Sequence, residues 1–190
     1  CLGLCVCNAD AFVRLHEGRE AVHGTNPIAF AAPVPGARPW LLDMATSVAA
    51  GGKVLLARDR DEPIPLGWAL DADGNATTEP NLAKILVPSG GPKGSGLALM
   101  FECLGSLMVG NPLLAPSLAG ESGERRIFQN SIVAAIDIGT FTDVEPYKDD
   151  VDSLIDRLKE GPTAEGTDEI LMPGEPENRV YQDRTRNGIP

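Results

Sequence analysis

The stretch that does most to decide the fold is "GTNPIAFAAP", Gly24 to Pro33. Two prolines bound a run of small and apolar strand formers, which predicts a short strand over residues 27–33. The stretch "PWLLDMA" at 39–45 has the same character, and the turn "VPGAR" separates the two, so together they predict a β-hairpin. The first stretch contains no acid or base, and its only nucleophile is the hydroxyl of Thr25.

Elements on either side of the hairpin follow from periodicity. Residues 2–7 are small and apolar and predict a buried strand, and "SIVAAIDIGTF" at 131–141 predicts another. In "SGLALMFECLGSLMVG", residues 95–110, apolar side chains recur at intervals of three and four, which predicts a core helix. Gly110 and Pro112 supply its stop signal.

Three further segments are predicted to be helical. Residues 46–61 begin with N-cap candidates and continue with helix formers, although Gly51 and Gly52 weaken the middle. Residues 151–160 predict an amphipathic surface helix that turns three apolar side chains inward, namely Leu154, Ile155 and Leu158. A polar segment over 176–186, with Pro176 in the first turn, predicts the last helix.

Strands and helices alternate without the long Val/Ile runs of an all-parallel sheet. The sequence therefore predicts an α/β (α+β) fold in which a mixed, mostly antiparallel sheet is flanked by helices. A length of 190 residues predicts a single domain, residues 1–190, that ends in a C-terminal helical tail.

Composition excludes several classes of function. The net charge is −11, from 27 acids against 16 bases, and no basic run exceeds Arg125–Arg126, which disfavours nucleic-acid and anionic-membrane binding. Apolar runs fall far short of the roughly 20 residues of a membrane span, and no secretory signal is visible. We expect a soluble, cytoplasmic protein. The chain begins at Cys1 and runs directly into a predicted strand, so we expect a C-terminal piece of a longer polypeptide.

The four cysteines do not predict a metal site, because the chain has no CxxC and no histidine at ligand spacing. They are expected to be reduced core residues, with Cys103 a buried and unreactive thiol. The two histidines, His16 and His23, lie in polar segments and are expected to be ordinary surface residues.

Three loops are candidate sites. In "PSGGPKGSGLALM", glycines and Lys93 precede a helix, so backbone N–H groups and the ammonium could meet a phosphate. The alternative is a flexible loop before a capped helix, since neither the P-loop nor the dinucleotide fingerprint is matched. In "LLDMATS", Asp43 could bind a ribose, or Asp43, Thr46 or Ser47 could cap the next helix. In "LMPGEPE", Gly174 and Glu175 form what is on its own an ordinary turn.

Taken together, "GTNPIAFAAP", "LLDMATS", "GWALDADGNATTEP", "GGPKGSGLALM" and "LMPGEPE", in this order, resemble the malate/L-lactate dehydrogenase family. That family also contains ureidoglycolate dehydrogenase and the cyclic-imine (piperideine- and pyrroline-2-carboxylate) reductases. The resemblance runs from the first residues to Pro190. It implies an oxidoreductase that uses NAD or NADP, has a non-Rossmann cofactor fold and works as a homodimer. The implied reaction is hydride transfer between nicotinamide and a small 2-hydroxy or 2-oxo acid of the malate, lactate or ureidoglycolate type.

The resemblance also implies site residues. Thr25 matches a position that contacts the substrate. The positions that match cofactor contacts are Ala9, Asp43, Met44, Ala45, Pro92, Lys93, Gly174, Glu175 and Pro176. A further implication is that the turn shaped by Gly24 and Pro27 presents Thr25 and Asn26 to the substrate.

No catalytic residue is assigned within these residues. The family's proton-transferring histidine stands in a Ser-His-Gly context followed by a substrate-binding arginine, and neither His16 nor His23 has that context. We therefore expect the chain alone to be inactive. Cyclic-imine reductases carry an Arg-Gly-Asp run where this chain has residues 51–53, Gly-Gly-Lys, which favours a hydroxy-acid dehydrogenase. A cyclic-imine reductase and a non-catalytic dinucleotide-binding fragment remain the alternatives.

Overall fold

The structure is a computed structural model that describes residues 1–36, 39–110 and 129–189. Part of the predicted "VPGAR" turn, the Pro112 stop signal and the Arg125–Arg126 pair lie outside the described residues. The strands are β1 Leu2–Cys7, β2 Val13–Arg14, β3 Ala21–His23, β4 Ile28–Ala32, β5 Trp40–Met44, β6 Ala69–Leu70, β7 Ala76–Thr77, β8 Ile85–Leu86 and β9 Ser131–Ile136. The helices are α1 Gly51–Asp59, α2 Pro92–Glu102, α3 Val144–Lys159 and α4 Glu175–Asn187. A π-helical turn, Cys103–Leu107, extends α2, and Ile138–Thr140 forms a 3-10 turn.

The chain divides into two compact units. The first unit comprises Cys1–Leu4, Ala29–Asp43 and Val133–Pro190, and the second comprises Cys5–Ile28 and Met44–Ile132. The single domain expected from the sequence stays a prediction.

Most residues of a four-stranded sheet, in the order β5-β4-β1-β9, belong to the first unit. Strands β4 and β5 are neighbours, as the hairpin prediction requires. The strand predicted over 131–141 ends early, at Ile136. The reason is local, because the Asp137 carboxylate accepts the N–H of Gly139 at 3.1 Å and closes the 3-10 turn.

The helices of the first unit were predicted with mixed success. Helix α4 confirms the predicted final helix. Helix α3 begins at Val144, before the predicted start, and its buried residue is Val151. Leu154 and Leu158 are 46% and 43% exposed, so the prediction that they face inward is wrong.

A five-stranded sheet in the order β3-β2-β8-β6-β7 lies in the second unit. Strand β2 pairs antiparallel with β3 and parallel with β8, and β6 pairs antiparallel with both β7 and β8. Its side chains join a core built mainly from aliphatic residues: Val13, Val54, Ile64, Ala69, Ala83 and Leu86, with Phe12, Ala57 and Trp68 packed against them. The predicted α/β class with mixed, mostly antiparallel pairing is confirmed.

Helix α1 starts at Gly51, so its glycines stand in the first turn and not in the middle. The hydroxyl of Thr46 donates to the carbonyl of Thr25 at 2.8 Å, and that of Ser47 donates to the carbonyl of Ala49 at 2.7 Å. Ala50 occupies the N-cap position without a side-chain hydrogen bond. The alternative that Thr46 or Ser47 caps this helix is therefore wrong.

Helix α2 buries only part of the face that was expected to be buried. Phe101 is buried as predicted, but the rest of the buried face is small or polar and consists of Gly94, Ser95, Ala98 and Glu102. The apolar stripe is exposed, with relative exposures of 44% for Leu97, 56% for Met100, 42% for Leu104, 47% for Leu107 and 64% for Met108.

The cysteines do not occupy the expected core positions. Cys1 and Cys103 are exposed, and Cys5 and Cys7 are half-buried. Among residues 1–36, 39–110 and 129–189, none of the helices combines the length and the apolar character needed to cross a membrane.

Candidate functional site

The glycine-rich loop before α2 is built by close backbone approaches. Gly90 and Gly91 have φ values of +57° and +61°, a region that glycine adopts without steric cost. The imidazole of His16 lies where a side chain at Gly91 would stand, 3.0 Å from an ideal Cβ. An added Cβ at Gly94 would lie 2.4 Å from the carbonyl oxygen of Thr46. The first turn of α2 therefore contacts the chain that follows β5.

The backbone donors of this loop are largely engaged within the loop itself. The donor–acceptor pairs are Gly91 N to Pro88 O, Lys93 N to Gly90 O, Gly94 N to Ser89 O and Ser95 N to Gly91 O, at 2.8–3.4 Å. Lys93 is exposed, and its ammonium forms no ion pair with the described residues. A phosphate at this loop would thus be met by the Lys93 side chain more than by backbone N–H groups.

The turn at Gly24–Pro27 does not present both of its polar residues outward. Thr25 is half-buried, whereas Asn26 is fully buried. The Asn26 amide nitrogen donates to the carbonyl of Ala98 at 3.0 Å and to a Glu102 carboxylate oxygen at 2.9 Å. The prediction that Asn26 points to a substrate is wrong.

Several predicted positions of the second unit are connected through backbone contacts. The Ala9 N–H donates to the side-chain oxygen of Asn26 at 3.3 Å, and a Cβ at Gly24 would lie 2.5 Å from the Ala9 carbonyl oxygen. The Thr25 carbonyl accepts both the N–H and the hydroxyl of Thr46 at 2.8 Å. The structure therefore brings Ala9, Thr25 and the residue after Ala45 together.

In the first unit, the "LMPGEPE" turn lies against strand β5. The Leu41 N–H donates to the Pro173 carbonyl at 3.3 Å. Gly174 has φ +91°, and a Cβ there would lie 3.1 Å from the Leu41 carbonyl oxygen, so the turn requires glycine. Asp43, two residues further along β5, is exposed. Pro176 follows in the first turn of α4.

A cavity of about 190 Å³ adjoins this turn. Its lining includes Trp40, Met172, Gly174, Glu175 and Asn178. The Asn178 side-chain oxygen is buried and has no hydrogen-bond partner among the described residues. Sequence reasoning missed both Trp40 and Asn178. The aromatic residue at the start of a predicted strand was the one available signal, and Asn178 gave none.

Glu175 is committed to structural contacts. Its carboxylate accepts the ammonium of Lys159 at 2.5 Å and the N–H of Met172 at 3.0 Å. The hydrogen bond from Lys159 is the largest effect and, with the one from the Met172 backbone, lowers the pKa of Glu175 below its ordinary value against the opposing effect of desolvation. This carboxylate therefore anchors the turn to the start of α4.

His23 is a buried residue of β3, so the expectation of an ordinary surface histidine is wrong. Its Nδ1 donates to the Gly24 carbonyl at 2.7 Å, and its Nε2 is buried without a partner among the described residues. Burial lowers the pKa of His23 below the ordinary 6.5, against smaller opposing effects of the Gly24 carbonyl and the Glu102 charge.

Residues 1–190 match the family model described as malate/L-lactate dehydrogenase, and the chain belongs to this family. It is 34% identical to the NAD(+) ureidoglycolate dehydrogenase of Escherichia coli strain K12, over 99% of this chain and 54% of that protein. It is 38% identical to the L-sulfolactate dehydrogenase of Methanocaldococcus jannaschii, over 94% of this chain and 52% of that protein. The chain thus spans about half the length of the curated relatives it matches.

Solved structures agree with this family assignment. The sulfolactate dehydrogenase from Methanocaldococcus jannaschii superposes with a TM-score of 0.82 at 37% identity, over 96% of this chain and 53% of that one. Malate dehydrogenase from Entamoeba histolytica gives a TM-score of 0.85 at 26% identity, over 97% and 55% of the two chains. The fold of this chain is therefore the fold of the matching half of these dehydrogenases.

Proposed function

We propose that this chain is the dinucleotide-binding part of an NAD- or NADP-dependent dehydrogenase that oxidises a small 2-hydroxy acid or reduces the 2-oxo acid. The observation that carries the proposal is the match of the malate/L-lactate dehydrogenase family model over residues 1–190. The named relatives include an NAD(+)-dependent ureidoglycolate dehydrogenase and an NADP(+)-dependent (2R)-3-sulfolactate dehydrogenase. Both names describe oxidation of a small hydroxy acid.

Residues of the second unit fit the phosphate-bearing part of such a cofactor. Lys93 offers an exposed ammonium without an ion-pair partner among the described residues, at the start of α2. An ammonium of this kind binds phosphate through charge-assisted hydrogen bonds. Pro92 fixes the first turn of the helix beside it. Ala9, Met44 and Ala45 are proposed to contact the cofactor through their backbone and small side chains.

Residues of the first unit fit an aromatic ring and its sugar. The cavity beside Gly174 combines the indole of Trp40 with an unpartnered amide oxygen of Asn178, which suits a flat ring that carries an N–H donor. Asp43 supplies an exposed carboxylate that can accept hydrogen bonds from ribose hydroxyls. Glu175 and Pro176 are proposed to close the site by holding the Gly174 turn in place.

A bound nicotinamide cofactor would supply the hydride-transfer chemistry, to or from the carbon that bears the hydroxyl or oxo group. The chain's own contribution is binding and orientation. The Lys93 ammonium is proposed to bind a negatively charged phosphate of the cofactor. The turn at Gly174 and Glu175 is proposed to provide a rigid wall, and Thr25 offers a half-buried hydroxyl to the substrate. None of these groups is proposed to move a proton.

Proton transfer is proposed to come from a group that these residues do not supply. The Nδ1 of His23 is engaged by a backbone carbonyl, and the imidazole is buried. His16 is exposed and lies against Gly91, in a sequence context unlike that of the family's catalytic histidine. Neither imidazole is proposed as the general base.

A hydroxy-acid substrate is favoured over a cyclic imine because of Lys53. Its ammonium lies 5.9 Å from the centroid of the Trp68 ring, at the position where the reductases carry an aspartate. A cation over an indole cannot perform the supporting role of a carboxylate. Pyrroline-2-carboxylate reductases remain relatives, with 37% identity over 76% of this chain for the Agrobacterium fabrum protein, so an imine substrate belongs in the test.

The test measures NADH and NADPH binding by titration calorimetry, and turnover with a panel of 2-oxo acids and Δ1-pyrroline-2-carboxylate. We expect the chain to bind one dinucleotide and to turn over none of the substrates. Lys93→Ala should weaken binding by about 1–3 kcal/mol, or about 5- to 150-fold. Lys84→Ala removes another exposed lysine of the second unit and is the matched control, with no expected change.

Each result bears on a separate part of the proposal. Absence of binding to both dinucleotides contradicts the cofactor assignment, and equal affinities of Lys93→Ala and Lys84→Ala remove Lys93 from the site. Robust turnover by the chain shows that the proton-transferring group lies within it. Reduction of the cyclic imine in preference to 2-oxo acids reverses the choice of substrate.

We also infer a homodimer. Support comes from the exposed apolar side chains along α2 and the residues that follow it, which include Met100 and Met108 at 56% and 64% exposure. Sedimentation equilibrium tests it, and a mass equal to one chain at micromolar concentration contradicts it.

A further inference from the structure

A buried carboxylate stands at the last turn of α2 without a cation beside it. Glu102 is 1% exposed and has no ion-pair partner among the described residues. A carboxylate in such surroundings needs several hydrogen-bond donors to offset its desolvation. Asn26 donates to one of its oxygens at 2.9 Å, and Asn8 and Ser106 donate to the other at 3.1 Å and 2.8 Å.

The π-helical turn after α2 helps to assemble this cluster. Ser106 lies within that turn and is fully buried, so its hydroxyl is held against the carboxylate one turn earlier. The Asn8 amide nitrogen also donates to the Ser106 hydroxyl oxygen. Because this turn extends the C-terminal end of α2, it places the Ser106 hydroxyl beside the last residue of the helix, Glu102.

Asn26 uses all of its side-chain hydrogen-bonding groups. Its nitrogen donates to the Glu102 carboxylate and to the carbonyl of Ala98, which leaves the oxygen fixed in direction. That oxygen accepts the N–H of Ala9 at 3.3 Å. The backbone of Asn26 has φ +29°, an unusual value for a residue other than glycine, and the side-chain contacts hold it there.

The contacts of Asn26 reach three positions proposed to form the site. Ala9 is bonded to it directly, and Thr25 is its neighbour in the chain. The carbonyl of Thr25 in turn holds the N–H and hydroxyl of Thr46, next to Ala45. Asn26 is fully buried, so water does not compete for the hydrogen bonds that its amide nitrogen donates to Ala98 and Glu102.

We propose that Asn26 is a positioning residue of the dinucleotide site and that Glu102 is the buried acceptor that fixes its orientation. The inference rests on the proposed function, because Ala9 and Thr25 are assigned to the site there. Asn26 touches neither cofactor nor substrate and acts through the Ala9 amide and the Thr25 backbone.

The main variant is Asn26→Gly, since glycine adopts the same φ without strain and removes only the side-chain bonds. The readouts are amide hydrogen exchange by NMR and the dissociation constant for NADH or NADPH. We expect the Ala9 amide to exchange at least about tenfold faster and the dissociation constant to rise roughly tenfold. The Leu86 amide, which donates to Phe12 in the core, should keep its protection.

Ser106→Ala is the matched control, since it removes a donor from the same carboxylate but leaves Asn26 in place. It should preserve both the Ala9 protection and the affinity. A purely structural role would accelerate exchange at Leu86 as well, without a selective change in affinity.

If Asn26→Gly does not fold, Asn26→Asp and the double variant Asn26→Asp with Glu102→Gln replace it. The single change opposes two carboxylates, and the double change restores a donor between them.

The outcomes separate the two proposals. The positioning role is overturned if Asn26→Gly leaves the exchange rate of the Ala9 amide unchanged, or if it raises that rate without changing the dissociation constant. Equal affinities of Asn26→Asp and of its double variant with Glu102→Gln also overturn it. A parent chain that binds neither dinucleotide overturns the proposed function and the positioning role with it. Selective loosening at Ala9 together with weaker binding supports both.

Discussion

A substitution at Gly94 tests the close contact between α2 and the backbone of the segments that precede it. A methyl group there would place Cβ 2.4 Å from the Thr46 carbonyl oxygen and 2.5 Å from that of Ser89. Both obstacles are backbone atoms that are themselves hydrogen-bonded. The Ser89 N–H donates to Thr46, and the Gly94 N–H donates to Ser89, each at 2.8 Å. Gly94→Ala therefore cannot be accommodated by rotation of a side chain.

The expected magnitude combines three effects. Overpacking against fixed atoms costs about 1–3 kcal/mol, and loosening two backbone hydrogen bonds costs about 1 kcal/mol each. The better helix propensity of alanine offsets about 1 kcal/mol. We expect Gly94→Ala to lower the free energy of unfolding by roughly 2–4 kcal/mol. Gly96→Ala, in the same helix with no atom within 4 Å of its added Cβ, should raise it by about 0.5–1 kcal/mol.

The assay is equilibrium urea unfolding followed by tryptophan fluorescence. The chain has two tryptophans, and Trp68 packs against the core of the second unit. A Trp40→Phe background therefore leaves a fluorophore that reports on the unit that contains Gly94. A Gly94→Ala midpoint equal to or above that of the parent would refute the close approach described for α2. Opposite signs for the two alanine variants would support it.

Two further predictions concern the second unit. Burial lowers the pKa of His23 in the folded chain. Below pH 6.5 the unfolded chain therefore binds a proton that the folded chain does not, and the free energy of unfolding should decrease as the pH drops through this value. His23→Gln should remove this pH dependence from urea midpoints measured between pH 5 and 8, whereas His16→Gln should retain it; an unchanged slope in His23→Gln contradicts the assignment. Val54→Ala deletes a side chain that is 5% exposed in the core and should cost about 2 kcal/mol in urea unfolding. Leu55→Ala, at 53% exposure, should stay within about 0.5 kcal/mol, and equal losses would show that the core is elsewhere.

Sequence was sufficient where the signal was local. The prolines on either side of β4 and the strand formers between them predicted the strand and its neighbour. Pro176 in a polar segment predicted α4 to within one residue at each end. These elements depend on backbone restrictions that a short window of sequence contains.

The orientation of α2 depended on distant partners. Periodicity identified an apolar stripe through Leu97 and Met100, which is exposed. The buried face instead includes Gly94, where the absence of a side chain permits close contact with the backbones of Thr46 and Ser89. Glu102 is buried because asparagines 94 and 76 positions away supply its donors. No window of sequence around the helix contains that information.

The candidate site divides in the same way. The order of the motifs indicated Lys93, Asp43 and the Gly174 turn as site residues. In the structure Lys93 and Asp43 are exposed, and the Gly174 turn lies against β5. The cavity wall formed by Trp40 and Asn178 depends on how β5 and α4 pack, so it could not be predicted from either segment alone.

The long reach of Glu102 has a consequence for the order of folding during synthesis. Asn8 and Asn26 precede it by 94 and 76 residues, and at 5–20 residues per second they emerge roughly 4–20 s before their acceptor. Strand β1 and the Gly24 turn must therefore wait, with unpaired amides, until the end of α2 has been made. Closing such distant contacts is slow, so completion of this cluster is expected to be a late event in folding and a target for chaperones that recognise unfinished chains.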